Sequence, residues 1–154
     1  RDRSVSRGLG DVYKRQDFDT VVSKAELYSN HTHIVFALSS FDNLVKNGRM
    51  SKIVGFVANK LGFWGIGIGS KQGTIEIKQK IRGSKKALDA IIDDMKERGY
   101  NCGKVVISHC RNAEFAESVK SAIQSVWDKA EVKIVHARGL CSYYAEKGGL
   151  IIGF

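Results

Sequence analysis

The sequence predicts an α/β fold, on the border with α+β, in which helices pack on a single mixed β-sheet. Short runs rich in β-branched residues recur at residues 33–38, 104–110, 131–137 and 148–154. Between these runs lie segments in which apolar residues recur at helical spacing. No linker or internal repeat divides residues 17–154. This alternation is typical of one sheet layered with helices.

The first elements are a helix, a strand and a second helix. Residues 18–29 have an apolar side at helical spacing, which predicts a short helix. Residues 33–38 form a continuous apolar run of strand length, which is typical of a central strand buried on both faces. Ser39 or Ser40 can cap the next helix, which we expect over residues 41–46.

A helix is predicted over residues 51–61, and a β-hairpin is predicted after it. Residues 63–70 alternate glycine with isoleucine, and residues 74–81 alternate apolar with charged side chains. The charged face of the second strand carries Glu76, Lys78 and Lys80. Glycine repeats of this kind weaken a strand unless a ligand or another chain segment approaches the backbone closely.

Two strongly amphipathic helices follow. Ser84 begins the first and Gly99 ends it, and four acidic residues are expected to face solvent: Asp89, Asp93, Asp94 and Glu97. Asn112 is expected to cap the second, whose apolar stripe reaches Trp127.

The amino-acid composition is typical of a globular domain. The 154 residues are 43% hydrophobic, and no apolar run approaches the roughly 18 residues that a membrane span needs. The cysteines Cys102, Cys110 and Cys141 contain no CxxC pair. We expect free, mostly buried thiols in a reducing cytoplasm.

Residues 1–16 differ from the rest of the chain. They have no apolar periodicity and lack the hydrophobic core of a secretory signal. We expect a non-native or disordered segment, followed by one domain over residues 17–154. The segment holds five basic and two acidic residues, so the domain carries +6 of the net charge of +9. A charge of this size gives only limited compositional support for nucleic-acid binding.

No catalytic or metal-binding constellation is apparent in the sequence. There is no GxSxG motif, and residues 65–70 lack the GxGxxG spacing of a phosphate loop. No cysteine or carboxylate joins the four histidines at metal-ligand spacing, so we expect no metal and no cofactor. Enzymatic use of His109 or Tyr144 stays open as an alternative that has only isolated residues behind it.

A basic cluster supports a second alternative, an interaction module. It consists of Lys78, Lys80, Arg82, Lys85 and Lys86. A solvated surface, an acidic protein partner, an anionic membrane surface and nucleic acid would each suit such a cluster. It lacks interleaved aromatic residues that would stack on bases, so we expect no nucleic acid.

Three segments resemble the C-terminal domain of the DegV family, bacterial proteins that bind one long-chain fatty acid. The first runs from Asp42 to Arg49 (DNLVKNGR), the second from Lys80 to Gly83 (KIRG), and the third from Arg138 to Phe154. In the third, Tyr144 stands where the family has a histidine near the fatty-acid head group. A phenol can donate a hydrogen bond to a carboxylate but does not titrate near neutral pH.

The resemblance implies half of a carrier that binds a fatty acid, presents it to a fatty-acid kinase and performs no chemistry itself. The family's Rossmann-like N-terminal domain, whose hydroxyl groups hold the carboxylate, has no counterpart here. Our candidates for the acyl chain are Phe56, Phe63, Trp64, Ile66 and Ile68. Those for the head group are Arg49, Arg82 and Tyr144. For the aromatic and isoleucine positions, ordinary core packing is the alternative.

Overall fold

The structure, a computed structural model, describes residues 17–48, 63–70 and 75–154. In chain order the elements are α1 (Phe18–Asn30), β1 (Ile34–Leu38), α2 (Asp42–Lys46), β2 (Phe63–Gly69), β3 (Ile75–Arg82), α3 (Ser84–Glu97), β4 (Lys104–His109), α4 (Ala113–Val126), β5 (Glu131–His136), α5 (Gly139–Ala145) and β6 (Leu150–Gly153). Helix α1 belongs to a first compact unit that ends at Thr32, and the other elements belong to a second unit, His33–Phe154. The predicted helix over residues 51–61 lies outside the described residues.

The second unit is built on one six-stranded sheet with the order β3-β2-β1-β6-β4-β5. Strands β4 and β5 are parallel, and the other neighbouring pairs are antiparallel. The sheet is therefore mixed, with helices packed on it, which confirms the predicted fold class. The predicted hairpin is also confirmed, because β2 and β3 pair antiparallel from Phe63 with Arg82 to Gly69 with Ile75.

One face of the sheet is covered by α3 and α4, and we call it the helix-covered face. Val35 and Ala37 of β1 point to this face and are fully buried, together with Ile66 of β2. The apolar stripes of both helices pack against them, including Ile91 and Val119. This layer is the main hydrophobic core of the second unit.

We call the opposite side of the sheet the second face. It carries Phe36 and Leu38 of β1, and these pack with Leu44 of α2 and Ala145 of α5. Ile151 of β6 lies opposite Phe36 and adds to this smaller cluster. Helix α5 was not predicted as a helix, since its seven residues are too few to show a clear period.

A β-bulge in β3 changes which face its side chains occupy. Ile66 pairs with Gln79 and the next residue, Gly67, pairs with Ile77, so Lys78 has no residue opposite it. The alternation predicted across residues 74–81 is therefore broken at this position. Lys78 reaches the helix-covered face, where its Nζ donates to Oδ1 of Asp94 at 2.9 Å.

The expectation that Asp94 faces solvent is wrong. Its carboxylate is only 5% exposed and accepts from Lys78 Nζ and, at 2.8 Å, from Arg98 Nε. Lys78 also pairs with Glu97, so it belongs to an ion-pair network and is a poor anchor for an external partner.

Two cap predictions also need correction. Helix α4 begins after Asn112, but the Asn112 side chain makes no cap hydrogen bond and donates instead to the carbonyl of Gly148 at 2.8 Å. Helix α2 begins after Phe41. The Ser40 hydroxyl oxygen accepts from the Asp42 N–H at 3.5 Å at the start of this helix, whereas the Ser39 hydroxyl donates to the carbonyl of Lys147 at 3.2 Å. Asn112 and Ser39 thus tie distant segments together.

The cysteines are free, as predicted, but they are not mostly buried. Cys102 and Cys141 are exposed, and Cys110 is half-buried. Within the described part of the chain, no helix combines the length and apolarity that crossing a bilayer requires.

His109, at the end of β4, has a polar side chain that is buried, as Asp94 does. Burial first, and then the positive charge of His136, hold its pKa below the ordinary 6.5. The unfolded chain therefore binds a proton at higher pH than the folded chain does. We expect the free energy of unfolding to fall as pH drops below about 6.5, until the folded His109 itself protonates.

Urea unfolding at pH 7.5 and pH 5.5 would measure this effect. His109→Gln should flatten the dependence between the two pH values, whereas His31→Gln, which removes an exposed imidazole, should leave it in place. An equal pH dependence in wild type and His109→Gln would contradict the prediction.

Candidate functional site

An apolar pocket of about 360 Å³ opens on the second face of the sheet. Its volume lies within the range of about 300–1,000 Å³ that is usual for small-molecule sites. Strands β1, β2, β3 and β6 supply its floor, and α2 and α5 supply its side. The lining residues are Ile34, Phe36, Leu38, Leu44, Gly69, Ile75, Tyr144, Ala145 and Ile151. Tyr144 contributes the only polar side-chain group among them.

The alternation of β1 explains the floor of the pocket. Ile34, Phe36 and Leu38 occupy every second position and therefore share one face, while the two residues between them enter the main core. The strand is apolar on both faces because helices cover one face and the pocket occupies the other.

The glycines of β2 allow large rings to lie against the strand. A side chain at Gly65 would overlap the ring of Phe41, and one at Gly67 would overlap the ring of Phe36. The predicted close approach at this glycine repeat is thus made by the protein's own aromatic rings. Further along, at Gly69, the space is open and the pocket begins.

Hydrogen bonds between α2 and the end of α5 hold Tyr144 in position. The Asn43 side chain donates to the carbonyl of Tyr143 at 2.9 Å, and the backbone N–H of Asn43 donates to the Glu146 carboxylate at 2.9 Å. The Asn47 side chain donates to the Tyr143 hydroxyl at 3.0 Å. Two of the motif segments that carry the family resemblance therefore meet in space, beside the pocket.

The structure brings together only some of the predicted site residues. Tyr144 lines the pocket. Ile66 and Trp64 pack into the main core on the helix-covered face, and Ile68 lies opposite Val35 on that same face. Trp64, Ile66 and Ile68 therefore do not line this pocket, because strand alternation turns them to the other side of the sheet.

Phe63 and Arg82 form a pair at one end of the hairpin. They lie opposite each other, and the Arg82 guanidinium carbon is 5.9 Å from the centre of the Phe63 ring. Neither is among the pocket's lining residues. Arg49 and Phe56 lie outside the described residues.

Sequence reasoning missed most of the lining, although part of its signal was present. The run over β1 was correctly predicted to be buried on both faces, yet none of its residues was chosen as a candidate. The candidates on β2 were Phe63, Trp64, Ile66 and Ile68. The glycines of β2 mark the pocket face, because the residues between them fill the main core. Ile75 was predicted to lie on the apolar face of its strand. Because of the bulge at Lys78, that part of β3 faces the pocket.

An α/β domain with a pocket lined almost entirely by apolar groups is of the class suited to hold a hydrophobic small molecule. The chain belongs to the DegV family: the family model described as "Uncharacterised protein, DegV family" matches residues 13–154. The resemblance predicted from the three motif segments is confirmed.

Relatives of known sequence agree with this assignment. A DegV domain-containing protein of Streptococcus pyogenes serotype M3 is 42% identical over 137 residues, which are 89% of this chain and 49% of that protein. Another, from Streptococcus pneumoniae strain R6, is 39% identical over 137 residues. The chain spans about half the length of the curated relatives it matches.

Two solved structures are similar in fold and sequence. One is the Streptococcus pneumoniae Fatty Acid Kinase (Fak) B3 protein loaded with linoleic acid, with a TM-score of 0.87 and 38% identity over 93% of this chain and 51% of that chain. The other is a DegV family protein from Eubacterium eligens loaded with heptadecanoic acid, with a TM-score of 0.88 and 34% identity over 97% of this chain and 54% of that chain.

Proposed function

We propose that this chain is one half of a carrier that binds a single long-chain fatty acid, and that the apolar pocket holds part of the hydrocarbon chain. The observation that carries the proposal is that, among the described residues that line the pocket, Tyr144 alone has a polar side-chain group. The fatty acids bound by the similar Streptococcus pneumoniae and Eubacterium eligens proteins support the same ligand class.

The energetics of such a site follow from the hydrophobic effect. Each methylene that leaves water contributes about 0.8 kcal/mol, so a long chain binds tightly if most of it is covered. This half supplies one wall, and the other half of a DegV-type carrier supplies the rest. Tyr144 is our candidate for the head-group end, since its phenol can hydrogen-bond to a carboxylate.

The proposed role is binding and presentation, with no chemistry performed by this chain. The name of the Streptococcus pneumoniae protein supports a fatty-acid kinase as the partner. The basic-module alternative is weaker, because Lys78 is committed to Asp94 and Glu97. Peripheral contact with an anionic membrane stays a prediction.

The test uses the full-length protein that contains this chain, purified from bacteria. Mass spectrometry of extracted lipid should find one long-chain fatty acid per protein molecule, and added oleate should stabilise the delipidated protein. The absence of both would overturn the proposal.

A substitution at the pocket mouth makes the test specific. Ile34 lines the pocket and is 48% exposed, so Ile34→Gln removes apolar contact with little risk to the fold. We expect oleate to bind about tenfold more weakly, which corresponds to about 1.4 kcal/mol of lost apolar contact.

Val126 offers a matched control. It is 46% exposed, lies on α4 and does not line the pocket. Val126→Gln should leave oleate affinity within a factor of two. Equal weakening by both variants would show that the effect is not located at the pocket.

A further inference from the structure

A second cavity, of about 510 Å³, lies at the carboxyl ends of the parallel strands β4 and β5. It differs from the apolar pocket in chemistry and shares none of its lining residues. Its lining consists of His109, Cys110, Arg111, His136, Ala137, Ser142, Tyr143 and Lys147. We call it the basic cavity, since the described residues that line it supply two cationic side chains and two imidazoles but no carboxylate.

The two cationic groups are brought together by backbone hydrogen bonds between two loops. The N–H of Cys110 donates to the carbonyl of Gly149 at 2.9 Å, and the N–H of Gly148 donates to the carbonyl of Cys110 at 2.8 Å. The Asn112 side chain adds a third bond between the loops, to Gly148. Arg111 and Lys147 are consequently held on the same cavity.

These charges are not neutralised within the described part of the chain. No ion pair joins Arg111 or Lys147 to an acidic side chain among residues 17–48, 63–70 and 75–154. Arg111 also has a φ of 52°, a left-handed conformation that is uncommon for a residue other than glycine. Such backbone strain is often found at binding sites.

The imidazoles present further donors. The backbone N–H of Asn112 donates to His109 Nδ1 at 3.2 Å, so in the neutral ring Nε2 carries the hydrogen. The ring of His136 lies beside it, with centroids 4.5 Å apart. The Tyr143 hydroxyl accepts from Asn47, which leaves its own hydrogen to donate.

This donor set suits an anion and not a metal cation. Arg111 and Lys147 would repel a cation, and the described residues contain no cluster of three or more histidine, cysteine or acidic side chains that could hold one. A lining with several hydrogen-bond donors matches the three oxygens of a phosphoryl group, whereas a carboxylate offers only two oxygens.

We propose that the basic cavity is a binding site for a phosphoryl group, held by Arg111 and Lys147 with hydrogen bonds from His109 and Tyr143. The group is either inorganic phosphate or the phosphate of a small organic monoester. The site is separate from the apolar pocket: Tyr143 of α5 lines the basic cavity, and Tyr144 lines the apolar pocket.

The experiment titrates the 154-residue chain with inorganic phosphate at pH 7 and constant ionic strength, followed by calorimetry and by the ¹H resonances of the histidine rings. We expect saturable binding that shifts the His109 and His136 resonances. Non-saturable binding, or equally tight binding of acetate, would overturn the proposal. A parallel titration with adenosine monophosphate distinguishes the sources, since at least tenfold tighter binding than phosphate supports an organic monoester and equal affinity supports the free anion.

Charge-removing variants locate the site. Arg111 and Lys147 are exposed, so Arg111→Gln with Lys147→Gln should preserve the fold and weaken phosphate binding at least tenfold. Arg138→Gln removes another exposed charge that does not line the cavity, and should change the affinity less than twofold. Equal losses in the double variant and the control would overturn the proposal by showing a diffuse charge effect. Unchanged oleate binding in the double variant would separate this site from the proposed fatty-acid function.

Discussion

Replacing Gly67 by alanine is expected to lower the free energy of unfolding by about 3 kcal/mol, the upper end of what overpacking a core usually does. The added methyl group would overlap the carbonyl oxygen of Glu76 in the neighbouring strand and the ring of Phe36. A backbone oxygen held in a sheet cannot move aside as a flexible side chain can. The ring cannot retreat easily either, because Phe36 is buried.

Gly69, two positions along the same strand, is the matched control. A Cβ built there has no atom within 4 Å, and its backbone does not require glycine. Since glycine weakens a strand by roughly 0.5–1 kcal/mol relative to alanine, Gly69→Ala should be neutral or slightly stabilising. Urea unfolding of both variants would measure the difference, and equal stabilities would refute the proposed packing of Phe36 against Gly67.

This pair of glycines also shows how the pocket is delimited. At Gly67 the strand is covered by the Phe36 ring, and at Gly69 the surface is bare and lines the pocket. A side chain added at Gly69 would fill pocket space without disturbing the sheet. We therefore expect bulky substitutions at Gly69 to reduce oleate binding while leaving stability nearly unchanged.

The sheet and its two long helices could be predicted from the sequence because their signals are local. A continuous β-branched run such as β1 can be recognised as a strand within a few residues. An apolar stripe such as that of α3 can be recognised as a helix within a few turns. Their order then leaves few arrangements other than a mixed sheet with helices packed on it. The family resemblance rested on three short motifs, and the structure places two of them beside the pocket.

The pocket residues could not be predicted as well, because their positions depend on pairing between distant segments. The isoleucines and glycines of β2 point to opposite faces, and nothing local shows which face helices will cover. The bulge at Lys78 is likewise a property of the β2–β3 register. Because of the bulge, the side chains on the two sides of Lys78 do not follow one alternating pattern, and strict period-two alternation assigns half of β3 to the wrong face of the sheet.

The same long-range pairing explains the error at Asp94. Viewed on α3 alone, an aspartate next to the apolar stripe is expected to turn toward water. In the folded chain the bulge turns Lys78 toward Asp94, and Arg98 lies one helical turn after Asp94. The carboxylate is therefore buried with two cationic partners.

Replacing Asp94 by asparagine is expected to lower the free energy of unfolding by about 2–3 kcal/mol. The carboxylate accepts charge-assisted hydrogen bonds on both oxygens, from Lys78 and Arg98. Asparagine keeps one acceptor and turns an NH₂ group toward the other cation, so at least one strong bond is lost. The loss stays below the 3–5 kcal/mol of a fully buried pair, because Lys78 is 31% exposed and its charge remains partly hydrated.

Asp93→Asn is the matched control on the same helix. Its carboxylate is 73% exposed and 3.9 Å from Lys96, so its removal should change stability by less than about 0.5 kcal/mol. Hydrogen bonds to Asp94 and then to Glu97 raise the pKa of Lys78 above its ordinary 10.5, so the network stabilises the fold below that pH and weakens as pH rises through the raised value. Urea unfolding at pH 7 and pH 11 should show the Asp94→Asn effect shrinking at the higher pH. A loss that is equal at both pH values, or equal in Asp93→Asn, would mean that the buried carboxylate is not the centre of this network.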